Sequence, residues 1–228
     1  LLRKLENHGI GGKLWQWIES WLEGRLQRTC IKGIRSSWRK VTSGVPQGSV
    51  LGPILFLIYI NDLDSEVMSW ILKFADDTKI YRRVGDSDER RQLQHDLDKL
   101  ISWSKEWQML FNDKKCRVMH IGDGEQHVYR MGNHDIESID VEKDLGVMLS
   151  SDMKMINHCS FAYTKANKML GLLKRTIKYK RTDVMISLYK ALVRPHLEYC
   201  ASVWSPYYRK DRELLEKVQH RFTKMFPA

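Results

Sequence analysis

Two adjacent carboxylates, Asp76 and Asp77, interrupt an otherwise apolar, strand-like run with the sequence SWILKFADDTKIYRRV. Neighbouring anions repel each other, and each loses hydration energy wherever solvent is excluded. One interpretation is a hairpin turn, because Asp hydrogen-bonds its own backbone in turns. The other is a site for divalent cations, which would neutralise the paired charge. The two residues alone favour the turn, and the remainder of the sequence reverses that preference.

A second stretch, TSGVPQGSVLGPILFLIYINDL, joins a glycine-rich loop to an apolar helix. Gly44 and Gly48 let another molecule approach the backbone closely. Backbone N–H groups and the Gln47 amide would lie exposed at a helix start, which suits a nucleotide or a phosphate. A purely structural turn is the alternative interpretation. Asp62, at the end of this helix, is interpreted as a capping or hydrogen-bonded side chain and not as a metal ligand.

The charge of the chain is unevenly distributed. Residues 151–228 hold 16 basic and 6 acidic residues, whereas residues 1–150 hold 22 of each, so the net charge of +10 lies entirely in the last third. A basic module attached to a neutral module with an acidic site is typical of enzymes that bind a polyanion. Solubility is the alternative reason for the charge, although it would not require this segregation.

The elements that must position these residues can be read from periodicity. Apolar spacing predicts helices over 1–7 and 13–22, a buried helix over 53–63 and a long amphipathic helix over 86–110. Short strands are predicted around a turn at 33–36, in the hairpin that contains Asp76, over 116–122 and 127–140, and around Gly146. This order indicates an α+β domain, in which helices pack on one face of an antiparallel sheet.

The periodicity changes after about residue 150, where three helical segments follow and Pro195 is expected to kink or split the second. We therefore predict two domains, 1–150 and 151–228. No stretch reaches the roughly 18 uncharged apolar residues of a membrane span. The four cysteines lack a zinc-site spacing, so buried, reduced thiols in an intracellular protein are expected.

These motifs together resemble the reverse transcriptases of non-LTR (LINE-type) retrotransposons, of the jockey and chicken-repeat kind. FADD resembles that family's version of the polymerase aspartate pair, and the SGVPQGS loop resembles its loop-helix motif. The similarity continues in order through WSKEWQMLFNDKKCRVMHIG, EKDLGV, KANKMLGLLKRT, LYKALVRPHLEYCASVWSP and LLEKVQHRFTKM. It therefore covers essentially the whole chain.

The resemblance implies an incomplete polymerase palm over 1–150, followed by an all-helical, basic thumb over 151–228. It implies that Asp76 and Asp77 are catalytic and bind two Mg²⁺ ions, with Mn²⁺ as a possible substitute. Lys115 resembles the general acid that protonates pyrophosphate, although an ordinary surface lysine is an equal alternative. Leu145 and Gly146 resemble the turn that grips the primer end.

Two larger groups of residues follow from the same resemblance. The nucleotide and template pocket would be formed by Ser43, Gly44, Pro46, Gln47, Gly48, Phe74 and Ala75. The nucleic-acid backbone would be contacted by Lys165, Lys168, Lys174, Arg175, Lys178 and Arg181, whose alternative role is that of a solvated helix face. The implied partners are an RNA template, a DNA primer and dNTPs, with no membrane and no evident protein partner.

The chain departs from the family pattern at its beginning. The family's first catalytic aspartate lies on a strand upstream of the helix that opens this sequence, and neither that strand nor the fingers subdomain is present in it. We therefore expect a fragment with little or no polymerase activity of its own. The alternative is a non-catalytic nucleic-acid-binding remnant or a pseudogene product.

Overall fold

A computed structural model describes residues 1–122, 124–179 and 181–226, and the chain forms two compact units. Unit 1 comprises Leu1–Phe111 with Arg130–Asn133, and unit 2 comprises Asn112–Tyr129 with His134–Ala228. Helices and short strands occur in both, which confirms the predicted α+β class. The division into palm and thumb near residue 150 is a functional one and stays a prediction.

Unit 1 begins with two helices, and its later helices flank the hairpin that carries the aspartates. Its helices are α1 (Leu2–Asn7), α2 (Gly12–Leu22), α3 (Leu51–Ile60) and α4 (Ser87–Glu106). Its strands are β1 (Leu26–Gln27), β2 (Cys30–Ile31), β3 (Ile34–Arg35), β4 (Arg39–Lys40), β5 (Trp70–Phe74), β6 (Asp77–Tyr81) and β8 (Arg130–Met131).

The strands of unit 1 form separate two-stranded ladders. β2 pairs with β3 around Lys32 and Gly33, whose φ angles are 49° and 85°, and β1 pairs with β4 outside them. The turn therefore lies earlier than the predicted 33–36, because Ile31 and Ile34 already pair across it. β5 pairs with β6 in the predicted hairpin.

Helix α3 is buried on one face only, contrary to the prediction of a fully buried helix. Leu55 and Ile60 are 2% and 3% exposed, whereas Ile54 and Leu57 are about half exposed. Leu55 packs against Leu5 of α1 and against α2, so these helices cover a single side of α3. A helix that is apolar on every face, as α3 is, is expected to be buried on every face. Within unit 1, however, other elements pack against only one face of α3.

Helix α4 begins as predicted but ends at Glu106, four residues before the predicted end. The Asp86 side chain accepts hydrogen bonds from the amides of Asp88 and Glu89, which caps the first turn. Gln108 has a φ of 56°, which ends the helical path. Leu110, predicted on the buried face, is therefore 79% exposed.

Unit 2 contains a short 3₁₀ turn (Asp113–Lys115), small ladders and a helical bundle. Its strands are β7 (Arg117–Val118), β9 (His134–Asp135), β10 (Glu137–Ser138), β11 (Val141–Asp144) and β12 (Val147–Ser150). Its helices are α5 (Ile156–Thr176), α6 (Thr182–Leu188), a π-helical segment (Tyr189–Val193), α7 (Arg194–Glu198), α8 (Ala201–Trp204) and α9 (Arg209–Thr223). β11 and β12 pair antiparallel, as predicted, whereas β7 and β10 pair parallel.

The second predicted helix of this bundle is split, as its proline indicates. Pro195 lies at the start of α7, where its missing N–H needs no partner. The π-helical segment directly before it widens the backbone spiral, which is a frequent way to absorb such an interruption. A second break follows at Cys200, whose φ is 56°.

The core of unit 2 lies between α5, α6, the π-helical segment and α9. Its buried members are Ala166, Leu170, Leu173, Met185, Val193, Val218 and Phe222. A smaller cluster joins Val147, Cys159 and Trp204. Burial, with the charge of Asp211, raises the pKa of Cys159 to about 11, so this thiol stays protonated at neutral pH.

Two expectations concern the cysteines and membranes. All four cysteines are free, but only Cys159 is buried, while Cys30 and Cys200 are exposed, so the expectation of general burial was wrong. Cys30 lies in the two-residue strand β2, and Cys200 lies in the break between α7 and α8. Among the helices of the described ranges, none has both the length and the apolarity needed to cross a bilayer.

Candidate active site at the Asp76–Asp77 hairpin

The two carboxylates lie at the tip of the hairpin formed by β5 and β6. Phe74 pairs with Asp77 across the ladder, which leaves Ala75 and Asp76 as the two-residue turn. Ala75 has a φ of 52°, a left-handed conformation that costs an L-residue roughly 1–2 kcal/mol. Both aspartates are exposed. The predicted hairpin turn is thus confirmed, and strain of this kind is concentrated at functional sites.

The base of the hairpin is fixed to α4 by a buried carboxylate that the sequence analysis did not single out. Asp96, which is 0% exposed, accepts hydrogen bonds from the Ser69 amide at 2.8 Å, the Ser69 hydroxyl at 2.6 Å and the Met68 amide at 3.1 Å. Burial alone would raise the pKa of Asp96, but the hydrogen bonds from Ser69, Met68 and Gln92 lower it. The ionised carboxylate therefore holds the chain just before β5.

A lysine one residue pair below the hairpin tip, Lys73, ties the hairpin to the end of α3. The Lys73 ammonium lies 2.7 Å from the Asp64 carboxylate and donates to the Asn61 carbonyl at 3.0 Å. Cations near a helix C-terminus interact favourably with its unpaired carbonyls. Asp96 and Lys73 together orient the strand that leads to Asp76.

The hairpin tip presents two side chains of the chemical type that a magnesium site uses. Carboxylate oxygens are hard ligands of the kind that Mg²⁺ prefers, and Mg²⁺ usually keeps several waters and binds substrate phosphates. Within the described part of the chain, no group of three or more His, Cys, Asp or Glu side chains is arranged to bind a metal. Asp76 and Asp77 thus fit the cation as two ligands, with further oxygens to come from phosphates and water.

The glycine-rich loop is held from both sides and leaves its centre open. The Arg25 guanidinium donates to the Gly44 carbonyl at 2.6 Å, and the Ser49 hydroxyl donates to the Pro46 carbonyl at 2.7 Å. Ser49 also accepts from the amide of residue 52 and so caps the start of α3. Between these anchors, Gln47 and Gly48 form an exposed turn, as a ligand-binding role would require.

The loop lies in the same unit as Asp76. It carries the predicted pocket residues Ser43, Gly44, Pro46, Gln47 and Gly48, while Phe74 and Ala75 lie on the hairpin itself. Phe74 is 63% exposed and is therefore accessible to a base or sugar. The role of each in nucleotide or template binding stays a prediction.

The remaining predicted site residues lie in unit 2. Lys115 ends the 3₁₀ turn with an exposed side chain, so its assignment as general acid stays a prediction. Leu145 and Gly146 form the turn between β11 and β12, with φ angles of 42° and 92°. The Tyr199 hydroxyl donates to the Leu145 carbonyl at 3.0 Å, and its ring covers Gly146 closely.

A small basic cleft of about 170 Å³ lies beside this turn. It is lined by Lys143, Gly146, His158, Phe161, Ala162, Lys165, His196 and Tyr199. The Lys165 ammonium lies 4.5 Å from the centre of the Phe161 ring. The Met148 amide donates to Nδ1 of buried His158, whose pKa burial lowers, so this ring is a neutral acceptor.

The basic residues predicted to contact nucleic acid are exposed, as that role requires. They are Lys165, Lys168, Lys174, Arg175, Lys178 and Arg181. Arg181 makes a bidentate pair with Asp183, which reduces its availability to phosphates. Contact with nucleic acid stays a prediction for all six.

The interpretation of Asp62 as a hydrogen-bonded side chain is confirmed. Its carboxylate accepts from the Lys4 ammonium at 2.5 Å and from Trp103 Nε1 at 3.0 Å. Lys4 is 1% exposed and also donates to the Tyr59 carbonyl, so it forms a buried link between α1 and α3. Burial lowers the pKa of Lys4, against the opposing effect of Asp62.

Sequence comparison supplies an independent indication. A family described as "Reverse transcriptase (RNA-dependent DNA polymerase)" matches residues 1–173. The RNA-directed DNA polymerase from mobile element jockey of Drosophila funebris is 29% identical over 212 residues, covering 86% of this chain and 23% of that protein. The jockey polymerase of Drosophila melanogaster is 26% identical, covering 84% of this chain and 22% of that protein.

A third relative is the probable RNA-directed DNA polymerase from transposon X-element of Drosophila melanogaster, which is 24% identical over 91% of this chain. The chain spans about a quarter of the length of the curated relatives it matches. The family match defines the class of protein as a nucleotidyltransferase. Within that class, the chain belongs to the reverse transcriptase family, and its resemblance to non-LTR retrotransposon enzymes is confirmed.

Proposed function

We propose that this chain is part of a retrotransposon reverse transcriptase, in which it contributes to template-directed DNA synthesis on RNA. The observation that carries the proposal is the hairpin tip, where Asp76 and Asp77 are presented together by a strained turn. Two Mg²⁺ ions bound there would activate the primer 3′-hydroxyl and stabilise the departing pyrophosphate. Mn²⁺ would serve as a substitute with the same kind of ligands.

The residues of the chain would have distinct roles in this reaction. Asp76 and Asp77 would hold the ions, and the loop at 43–48, with Phe74 and Ala75, would line the pocket for the dNTP and the template. The turn at Leu145 and Gly146 would hold the DNA primer, and Lys115 would donate a proton to pyrophosphate. The basic helices after residue 150 would act as a thumb on the RNA–DNA duplex.

We further propose that the 228 residues alone have little or no polymerase activity. The described residues assemble two carboxylates at the tip but no larger group of metal ligands, whereas a two-ion site needs further ligands to fix both ions. A non-catalytic nucleic-acid-binding protein is the second candidate function, and the excess of positive charge after residue 150 favours it. In either case we place the protein inside the cell, in the nucleus or cytoplasm.

The test is primer extension by a chimera, in which this chain replaces the corresponding segment of the Drosophila funebris jockey polymerase. The chimera should extend a DNA primer on an RNA template with Mg²⁺, and Asp76→Ala should reduce extension by at least 100-fold. Asp88→Ala is the matched control, because it removes an exposed carboxylate that pairs with Arg91 on α4. Extension that survives Asp76→Ala, or a folded but inactive chimera, would contradict the proposal.

A further inference from the structure

The turn between β11 and β12 has a backbone conformation that its first residue disfavours. Asp144 pairs with Val147, which leaves Leu145 and Gly146 as a two-residue loop. Their φ angles of 42° and 92° are both positive, as in a type I′ turn. Glycine adopts such angles freely, but for leucine the left-handed region costs roughly 1–2 kcal/mol. A contact that favours this conformation is therefore expected from outside the turn.

The hydroxyl of Tyr199 provides that contact. It donates to the Leu145 carbonyl at 3.0 Å, and a Cβ added at Gly146 would lie 2.9 Å from Cε1 of the Tyr199 ring. The Leu145 carbonyl belongs to the central peptide of the turn, and the orientation of this peptide distinguishes a type I′ turn from a type II′ turn. By binding this oxygen, Tyr199 holds the central peptide in one orientation.

The backbone of Tyr199 is itself fixed on both sides. Its amide donates to the Pro195 carbonyl at 3.0 Å, and its carbonyl accepts from Trp204 Nε1 at 2.6 Å. Trp204 is 2% exposed and packs in one buried cluster with Val147, the residue that directly follows the turn. The turn and the residue that contacts it are thus anchored to the same cluster.

Stability alone does not account for this contact. Tyr199 is 57% exposed, and a hydrogen bond between neutral groups contributes only about 0.5–1.5 kcal/mol to folding. Leu145 is 45% exposed, so the turn is accessible to a ligand. An accessible turn that is kept in a costly conformation is characteristic of functional sites.

We propose that Tyr199 is a positioning residue for DNA synthesis, because its hydroxyl fixes the turn at Leu145 and Gly146 and thereby the primer 3′ end. The inference rests on the proposed function, which assigns the primer to this turn. Tyr199 acts through the turn and contacts neither the primer nor the metal ions. Misplacement of a reacting group by about 1 Å can lower a rate about 100-fold, so loss of the hydroxyl should slow the chemical step.

Single-turnover addition of one dNTP by the jockey chimera tests the proposal. Tyr199→Phe removes only the hydroxyl and should lower the rate constant at saturating dNTP by about 10-fold. The Kd of the primer–template should change less than about twofold, because affinity comes chiefly from phosphate contacts. Tyr207→Phe is the matched control and should alter neither value, since Tyr207 is 84% exposed and its ring contacts Tyr208.

The rate constant separates positioning from folding. If Tyr199 only stabilised the fold, Tyr199→Phe would reduce the fraction of molecules that form product in the first turnover and leave their rate constant unchanged. That result, or an equal effect of Tyr207→Phe, would overturn the proposal. A parallel loss of rate and of primer–template affinity would also overturn it, because Tyr199 would then contact the nucleic acid directly.

Hydrogen–deuterium exchange in this chain tests the same contact without any activity. Tyr199→Phe should accelerate exchange of the amides of residues 144–147, whereas Tyr207→Phe should leave it unchanged. Unchanged exchange in Tyr199→Phe would show that the hydroxyl does not hold the turn, and the inference would fail even if the chimera is active. A chimera that extends no primer contradicts the proposed function instead, so the two failures are separately observable.

Discussion

The carboxylate of Asp96 accepts hydrogen bonds from both the amide and the hydroxyl of Ser69, at 2.8 and 2.6 Å. Asp96 lies on α4 and is fully buried, and Ser69 directly precedes the strand that leads to the Asp76 turn. A charged acceptor in a buried place is stable only while every lone pair finds a donor. The position of the candidate active site thus depends on a residue remote from it in sequence.

Replacement of Asp96 by Asn should destabilise the protein by about 3 kcal/mol, because an NH₂ group would face donors that now bind a carboxylate. Asp98→Asn is the control, since Asp98 is exposed on the same helix and its carboxylate accepts from Gln94 alone among the described contacts. It should cost at most about 0.5 kcal/mol. Urea unfolding of both variants measures the difference, and equal costs would contradict the role of Asp96.

The Asp96 carboxylate should make the free energy of unfolding depend on pH in the acidic range. The pKa of Asp96 in the folded protein is lower than the ordinary 3.8. The contribution of Asp96 to the free energy of unfolding is therefore complete above pH 3.8 and is lost as the pH falls from 3.8 towards the pKa of the folded state. Wild-type protein should therefore lose more unfolding free energy than Asp96→Asn between about pH 5 and pH 3. Equal losses in the two proteins would show that Asp96 does not ionise differently on folding.

Gly146→Ala should destabilise the turn at Leu145 and Gly146 by about 2–3 kcal/mol. A Cβ at this position would lie 2.9 Å from Tyr199 Cε1, and the φ of 92° is unfavourable for alanine. Gly122→Ala measures the backbone cost of such a substitution without a steric clash, because Gly122 has a φ of 93° and no atom near an added Cβ. In a Tyr199→Ala background the cost of Gly146→Ala should fall to that of Gly122→Ala, and an undiminished cost would refute the contact.

His158 should make the protein less stable in mild acid. Burial lowers its pKa from the ordinary 6.5, so the unfolded chain binds a proton more readily, and stability falls as pH decreases through 6.5 towards the folded pKa. His158→Gln removes this titration while keeping an acceptor for the Met148 amide. The loss of unfolding free energy between pH 7.5 and pH 5.5 should be smaller in the variant than in the wild type. An equal loss would show that other histidines cause the pH dependence.

Two nearby aspartates should respond differently to neutralisation. Asp62 pairs with Lys4, whose side chain is 2% exposed, whereas Asp64 pairs with Lys73, whose side chain is 23% exposed. Asp62→Asn leaves a buried ammonium without its carboxylate and should cost about 3 kcal/mol. Asp64→Asn leaves a partly hydrated lysine and should cost under about 1 kcal/mol. Thermal unfolding compares them, and the reverse order would contradict the buried link.

The local sequence pattern was sufficient to predict the hairpin, the turn at Gly146, the start of α4 and the helical segments after residue 150. It failed for the exposure of Ile54 on α3, because burial depends on which elements cover a face. It also failed to single out Asp96, although its spacing from Leu93 and Leu100 places a carboxylate on an apolar face. Tyr199 lies 54 residues from the carbonyl it contacts, and such a pairing has no local signal.

Paramagnetic relaxation directly tests divalent-ion binding by Asp76 and Asp77, on which the proposed function depends most. Mn²⁺ added to the ¹⁵N-labelled chain with a dNTP present should broaden the amide signals of residues 75–78 selectively. Asp76→Asn combined with Asp77→Asn should abolish this broadening, while Asp88→Asn should leave it intact. If these signals stay sharp while Mn²⁺ broadens others, or if broadening survives the double substitution, the hairpin tip is not a metal site.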